Sequence, residues 1–119
     1  MPVALCPDGQ LAQRHADARR RHPRYPCGVY TFGLLKASPD TPLELVGVRN
    51  LSRSGVGLVM NRNLDPGKVA TLNLFNSQRN FATRVLMRVV YGNAQKDATF
   101  WIGAAFMHEM GEEEVHWLR

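Results

Sequence analysis

Hydrophobic and polar positions change rhythm once along this chain. Residues 8–22 are polar and tolerant of helix, and Pro23 and Pro26 then stop whatever helix begins there. From Gly28 onward, short runs rich in Val, Leu, Phe and Tyr recur, separated by turn residues every eight to twelve positions, which is an all-β rhythm. The pattern predicts strands at Gly28–Lys36, Leu43–Arg49, Val56–Met60, Val69–Phe75, Phe81–Tyr91 and Thr99–Met107. Turns fall at Ser38-Pro39-Asp40, Asp65-Pro66-Gly67, Asn76–Asn80 and Gly92–Asp97. Six strands without intervening helices predict a small barrel, whose closure removes exposed edges.

In the sixth predicted strand, strict alternation puts Phe100, Ile102, Ala104 and Phe106 on one face, assigned to the core, and Trp101, Gly103 and Ala105 on the other. In the fifth, Arg84 and Arg88 share a face with Ala82, Leu86 and Val90, so that face is not wholly buried. The tail Gly111–Leu118 predicts a short helix, with glutamates in its first turn to complement the dipole and Val115 and Leu118 spaced i, i+3 to pack.

At 119 residues and 45% hydrophobic composition the chain holds one domain with one real core. No apolar run approaches the ~18 residues of a membrane span. The first residues, MPVALCPDGQ, carry no early cation and break at Pro7 and Asp8, so neither a secretory leader nor membrane insertion is expected and the cytoplasm is the default location. Cys6 and Cys27 belong to no CxxC pair and read as ordinary thiols.

The net charge is +5, and twelve Arg stand against three Lys, a bias toward planar anions that guanidinium binds bidentately. Much of the excess sits in Arg14, Arg19, Arg20, Arg21 and Arg24, whereas Glu109, Glu112, Glu113 and Glu114 form an acidic knot near the other end. Such runs also serve as plain solvated faces. No nucleophile elbow, Walker-type loop, HExxH or separate carboxylate pair is present, so an enzyme is not read here. His108 and His116 read as surface histidines rather than metal ligands.

Two pieces remain. One is Arg20-Arg21-His22-Pro23-Arg24, an RxxxR just before the first predicted strand; the other is Asn50-Leu51-Ser52-Arg53-Ser54-Gly55, an NxSxxG between the second and third. In this order, with Gly57-Leu58, the Trp101–Phe106 strand and a closing helix, they resemble the PilZ domain, the bacterial receptor family for cyclic di-GMP. The resemblance covers residues 19–118. It implies a six-stranded antiparallel split β-barrel over residues 19–119, preceded by a flexible Arg-rich arm at 1–18 and closed by a short C-terminal helix.

It also implies a cyclic di-GMP site built by Arg19, Arg20, Arg24, Asn50, Ser52, Gly55 and Trp101. Arg20 and Arg24 would pair with phosphate or guanine O6/N7. Asn50 and Ser52, two apart at a strand end and so on one face, would accept from guanine N1–H and N2–H. Gly55 would supply a positive φ or a close backbone approach to the ligand. Arg19 would meet a second ligand molecule, and Trp101 would serve as an aromatic wall or as a partner-docking residue. The neutral Asn50, where the family also accepts Asp, implies a weaker acceptor. A chain with no output domain of its own then requires a downstream protein partner. Two other readings are a nucleotide-independent PilZ-like interaction adaptor and a basic barrel binding single-stranded nucleic acid. The latter is disfavoured because Phe100 and Phe106 alternate inward and leave only Tyr30, Phe32 and Trp101 for stacking.

Overall fold

Every run of period-2 hydrophobicity becomes a strand in the structure, a computed structural model that describes residues 22–119. The expected arm at 1–18, together with Arg19 and Arg20, lies outside the described residues. The strands are β1 (Tyr25–Pro26), β2 (Thr31–Lys36), β3 (Glu44–Leu51), β4 (Gly55–Met60), β5 (Val69–Asn76), β6 (Phe81–Ala94) and β7 (Phe100–Phe106), followed by the helix α1 (Glu112–Leu118). All pairings are antiparallel in the order β1-β3-β2-β5-β6-β7-β4, and a further β3–β4 ladder closes β2 to β7 into a six-stranded barrel. These six correspond to the six predicted strands.

Alternation decides what fills the barrel. Leu35, Val46, Leu51, Val56, Leu58, Leu72, Leu74, Met87 and Ile102 point inward and are buried, as the strand-by-strand pattern requires. The face of β6 carrying Ala82, Arg84, Leu86, Arg88 and Val90 is exposed along its whole length. Helix α1 shuts one end of the barrel with Val115 and Leu118. Its last turn is fixed because Asn76 Nδ2 donates to the Leu118 carbonyl at 3.0 Å and the Thr31 hydroxyl donates to the same oxygen. Those buried polar groups satisfy a helix end that would otherwise be left unpaired.

The extra element is β1. It is two residues long, contains a proline, and pairs only with the end of β3, Tyr25 opposite Leu51 and Pro26 opposite Asn50. Proline is tolerated there because the strand lies at an edge. Cys27 N–H extends the attachment by donating to the Arg49 carbonyl at 2.9 Å. Short as it is, this hook carries the chain before the barrel directly past the second motif.

Two bulges interrupt the ladders, one in β3 between Val48 and Asn50 and one in β6 between Val89 and Tyr91. Each inserts one residue and therefore lets two consecutive side chains face outward. In β3 the pair is Arg49 and Asn50, between inward Val48 and Leu51; in β6 it is Val90 and Tyr91. Without the first bulge, alternation from Val48 would have driven Asn50 into the barrel.

Candidate functional site

The register of β1 sets Arg24 beside the turn that joins β3 to β4. Its Nη1 donates to Asn50 Oδ1 at 2.6 Å, joining the RxxxR and NxSxxG motifs across 26 positions of sequence. This is a charge-assisted bond, short because the donor is a cation. The Asn50 amide lies over Gly57, its cross-strand partner, where a Cβ would stand 2.8 Å from Oδ1. Gly57 is therefore the space in which the amide rests.

Gly55 does not take the positive φ that was one of its two expectations. Among the described residues the glycine with positive φ is Gly67, so Gly55 needs no left-handed backbone. What it needs is clearance, since a Cβ there would be 2.6 Å from the Ala104 carbonyl and 3.1 Å from Arg24 Nη2.

Ser52 differs from the sequence expectation in orientation. β3 ends at Leu51, and beyond it alternation no longer applies. Ser52 is 1% exposed, and its hydroxyl accepts the N–H groups of Ser54 and Gly55, each at 3.1 Å. Asn50 and Ser52 thus do not present oxygens side by side: Asn50 faces outward, and Ser52 holds the turn from within. The same turn is tied to the segment before α1, with Met110 N–H donating to the Arg53 carbonyl at 2.7 Å and Arg53 Nε donating to the Met110 carbonyl at 3.0 Å. Glu109 completes the tie, lying 3.8 Å from both His22 and Arg53.

Trp101 stands on the outer face of β7 as alternation requires and is 39% exposed. The Arg49 guanidinium lies over its ring at 3.5 Å from the centroid. One row closer to the motif, Gly57 pairs with Gly103 and Gly103 with Tyr91. A Cβ on Gly103 would collide with the Tyr91 ring at 2.2 Å, so the ring lies across that glycine. Arg24, Asn50, Gly55 and Trp101 are therefore brought to one outer surface. Arg49, Gly57, Tyr91 and Gly103 join them, although the sequence singles out none of these four as site residues. Glycines inside otherwise apolar strands were the available signal, because they mark close approach.

Two neighbouring features have different chemistry. A shallow groove of about 670 Å³ between Val29, Phe32, Leu45, Gly47 and Val59 is mainly apolar and holds none of the motif residues. Beside β1, burial pushes the Cys27 thiol up to about 11, against the opposing pull of Arg119, so it stays protonated near neutrality. Among the described residues no group of three His, Cys, Asp or Glu is placed to hold a metal ion, and no helix is long and apolar enough to cross a membrane.

Comparison with known proteins bears on this surface. No curated protein matches the chain in sequence. Among solved structures, the K. pneumonia MrkH–c-di-GMP complex superposes with a TM-score of 0.63 at 15% identity, over 84% of this chain and 49% of that one. The PilZ domain of Escherichia coli YcgR with c-di-GMP superposes with a TM-score of 0.61 at 13% identity, over 84% and 86%. A second structure of MrkH, described as a c-di-GMP-dependent transcription regulatory factor, gives 0.58 at 13% identity, over 84% and 48%. The chain spans about half the length of MrkH. These likenesses show a shared barrel, and a match to the PilZ domain model over residues 18–119 takes in both motifs and all seven strands, so the chain belongs to the PilZ domain family.

Proposed function

We propose that this chain is a cytoplasmic receptor for cyclic di-GMP that binds the dinucleotide without transforming it. The observation that carries this reading is the Arg24–Asn50 hydrogen bond, which assembles the two motifs on one outer surface. Cyclic di-GMP offers two phosphodiester charges and two guanines, each with an O6/N7 acceptor edge and an N1/N2 donor edge. A guanidinium and an amide held together provide donors and an acceptor for such a ligand. In this reading Arg24 takes phosphate or guanine O6/N7, Asn50 reads a guanine edge, and Ser52 and Gly55 shape the turn that holds them. Arg20 and Arg19 supply further cations from outside the described residues, Arg19 toward a second ligand molecule. The solved relatives described as complexes with c-di-GMP support the same reading.

Ligand binding then draws the arginine-rich segment against the barrel and presents a changed surface to a downstream protein. Saturating ligand is expected to slow trypsin at Arg20 more than at exposed Lys96. The decisive measurement is isothermal titration with cyclic di-GMP, with cyclic di-AMP and GTP as controls. Arg24→Ala should cost about 1.5–3 kcal/mol of binding, the loss of a hydrogen bond to a charged group, while the fold persists. Absence of binding by the parent chain would leave the nucleotide-independent adaptor as the better account.

A further inference from the structure

Arg49 and Tyr91 stand at the two bulges, on the outer surface beside β4 and β7, and neither belongs to a motif. We propose that they determine base specificity, building with Trp101 a stacking wall for a purine ring; the inference rests on the cyclic di-GMP reading.

The placement is built from both sides. Asn50, Gly57, Gly103 and Tyr91 form one continuous cross-strand row over β3, β4, β7 and β6. Its two middle members have no side chain, so the Asn50 amide reaches in over one glycine and the Tyr91 ring over the other. The adjoining row contains Trp101 opposite Val59 and Asn93, and Arg49 covers its ring at 3.5 Å. Asn50 is thus bordered by a phenol ring along its own row and by a guanidinium–indole stack beside it.

Bulges that re-aim side chains cost ladder hydrogen bonds and cluster next to functional sites. Here both serve the same pair of strands. A half-exposed indole already layered with a guanidinium presents flat, polarisable surface with a cation attached. Such surfaces take nucleobases by stacking, and the guanidinium edge can also donate to guanine O6 and N7. A base whose edge is read at Asn50 has its ring plane within reach of this wall. The wall suits a purine better than a pyrimidine, because the larger ring system covers more of it.

The test compares cyclic di-GMP with cyclic di-CMP by titration calorimetry on the whole chain. Arg49→Ala and Tyr91→Leu are each expected to weaken cyclic di-GMP binding about tenfold or more, as for loss of one base-stacking partner, and to narrow the purine-over-pyrimidine ratio. Arg49→Lys keeps the charge and loses the plane, so it should behave like Arg49→Ala. Tyr91→Phe keeps the ring and should retain more affinity than Tyr91→Leu. Melting temperatures of the variants close to that of the parent separate this role from packing. If the parent binds and both Arg49→Ala and Tyr91→Leu bind as tightly, or if Arg49→Lys restores full affinity, the wall is wrong while the receptor reading stands. If the parent itself does not bind, the receptor reading falls and the wall with it.

Discussion

Strands β4 and β7 are paired along their whole length, yet their two faces are built by opposite means. Inside the barrel, Val56, Leu58, Ile102 and Ala104 are buried and fill space with their own side chains. Outside, the matching positions include Gly55, Gly57 and Gly103, and the volume is filled by residues reaching in from neighbouring elements: Arg24, Asn50 and Tyr91. The inner face owes its stability to apolar surface removed from water, a term that does not depend on any one partner. The outer face is a set of polar and aromatic side chains laid over bare backbone. Each is anchored outside β4 and β7 and can move without opening the barrel. A face of the first kind specifies the fold, and one of the second kind can exchange its covering groups for a ligand.

Substitutions on the two faces should therefore separate stability from binding. The largest effect is expected from Leu58→Ala, which empties a fully buried inner position and should cost about 2–5 kcal/mol in denaturant unfolding, while the folded fraction still binds ligand normally. A fall in intrinsic affinity comparable to the fall in stability would break the distinction. Next is Gly55→Ala, where the added methyl meets the backbone carbonyl of Ala104. Backbone cannot swing away, so about 1–3 kcal/mol of stability should be lost as for overpacking. Gly57→Ala sharpens the comparison further, because its obstacle is the Asn50 side chain. The amide can turn aside, leaving stability nearly unchanged while cyclic di-GMP affinity drops through the lost Arg24–Asn50 geometry. If Gly57→Ala unfolds the protein as readily as Gly55→Ala, the side chains covering the outer face are as fixed as the backbone beneath them.

Period-2 patterning locates the six barrel strands because each has one face in the core, and the closing helix follows from its i, i+3 apolar pair. It misses β1, since two residues with a proline make no pattern; that strand exists only because β3 offers a free edge near Asn50. It also misses the bulges. Carried on from Val48, alternation sends Asn50 inward and Arg49 outward, whereas the inserted residue turns both out. For the same reason the motif residues are legible but their geometry is not. Asn50 and Ser52 are separated by two positions on paper, and the end of the strand between them sends one to the surface and the other into the turn. What Arg49 and Tyr91 border stayed hidden because it lies across the sheet, which a single strand does not record.

The smallest expected effect concerns the hook, where the same contrast recurs on one short segment. Arg24 faces the outer surface, whereas Cys27, three residues on, packs against the core, and that burial raises its thiol from 9.0 to about 11. The buried site favours the protonated thiol. Below pH 9.0 the thiol is protonated in both folded and unfolded chains, and its contribution to stability is fully present. Between pH 9.0 and about 11 the unfolded chain loses the proton and the folded one keeps it, so stability falls as pH rises through that window. The measurement is a difference, so that any other effect of alkali on the chain cancels. The melting temperature of the parent should decline more steeply from pH 9 to 11 than that of Cys27→Ala, and the two slopes should coincide below pH 8. Equal slopes throughout would mean that the thiol side of the hook is as open to water as the arginine side, and that burial of Cys27 adds nothing to what holds β1 to the barrel.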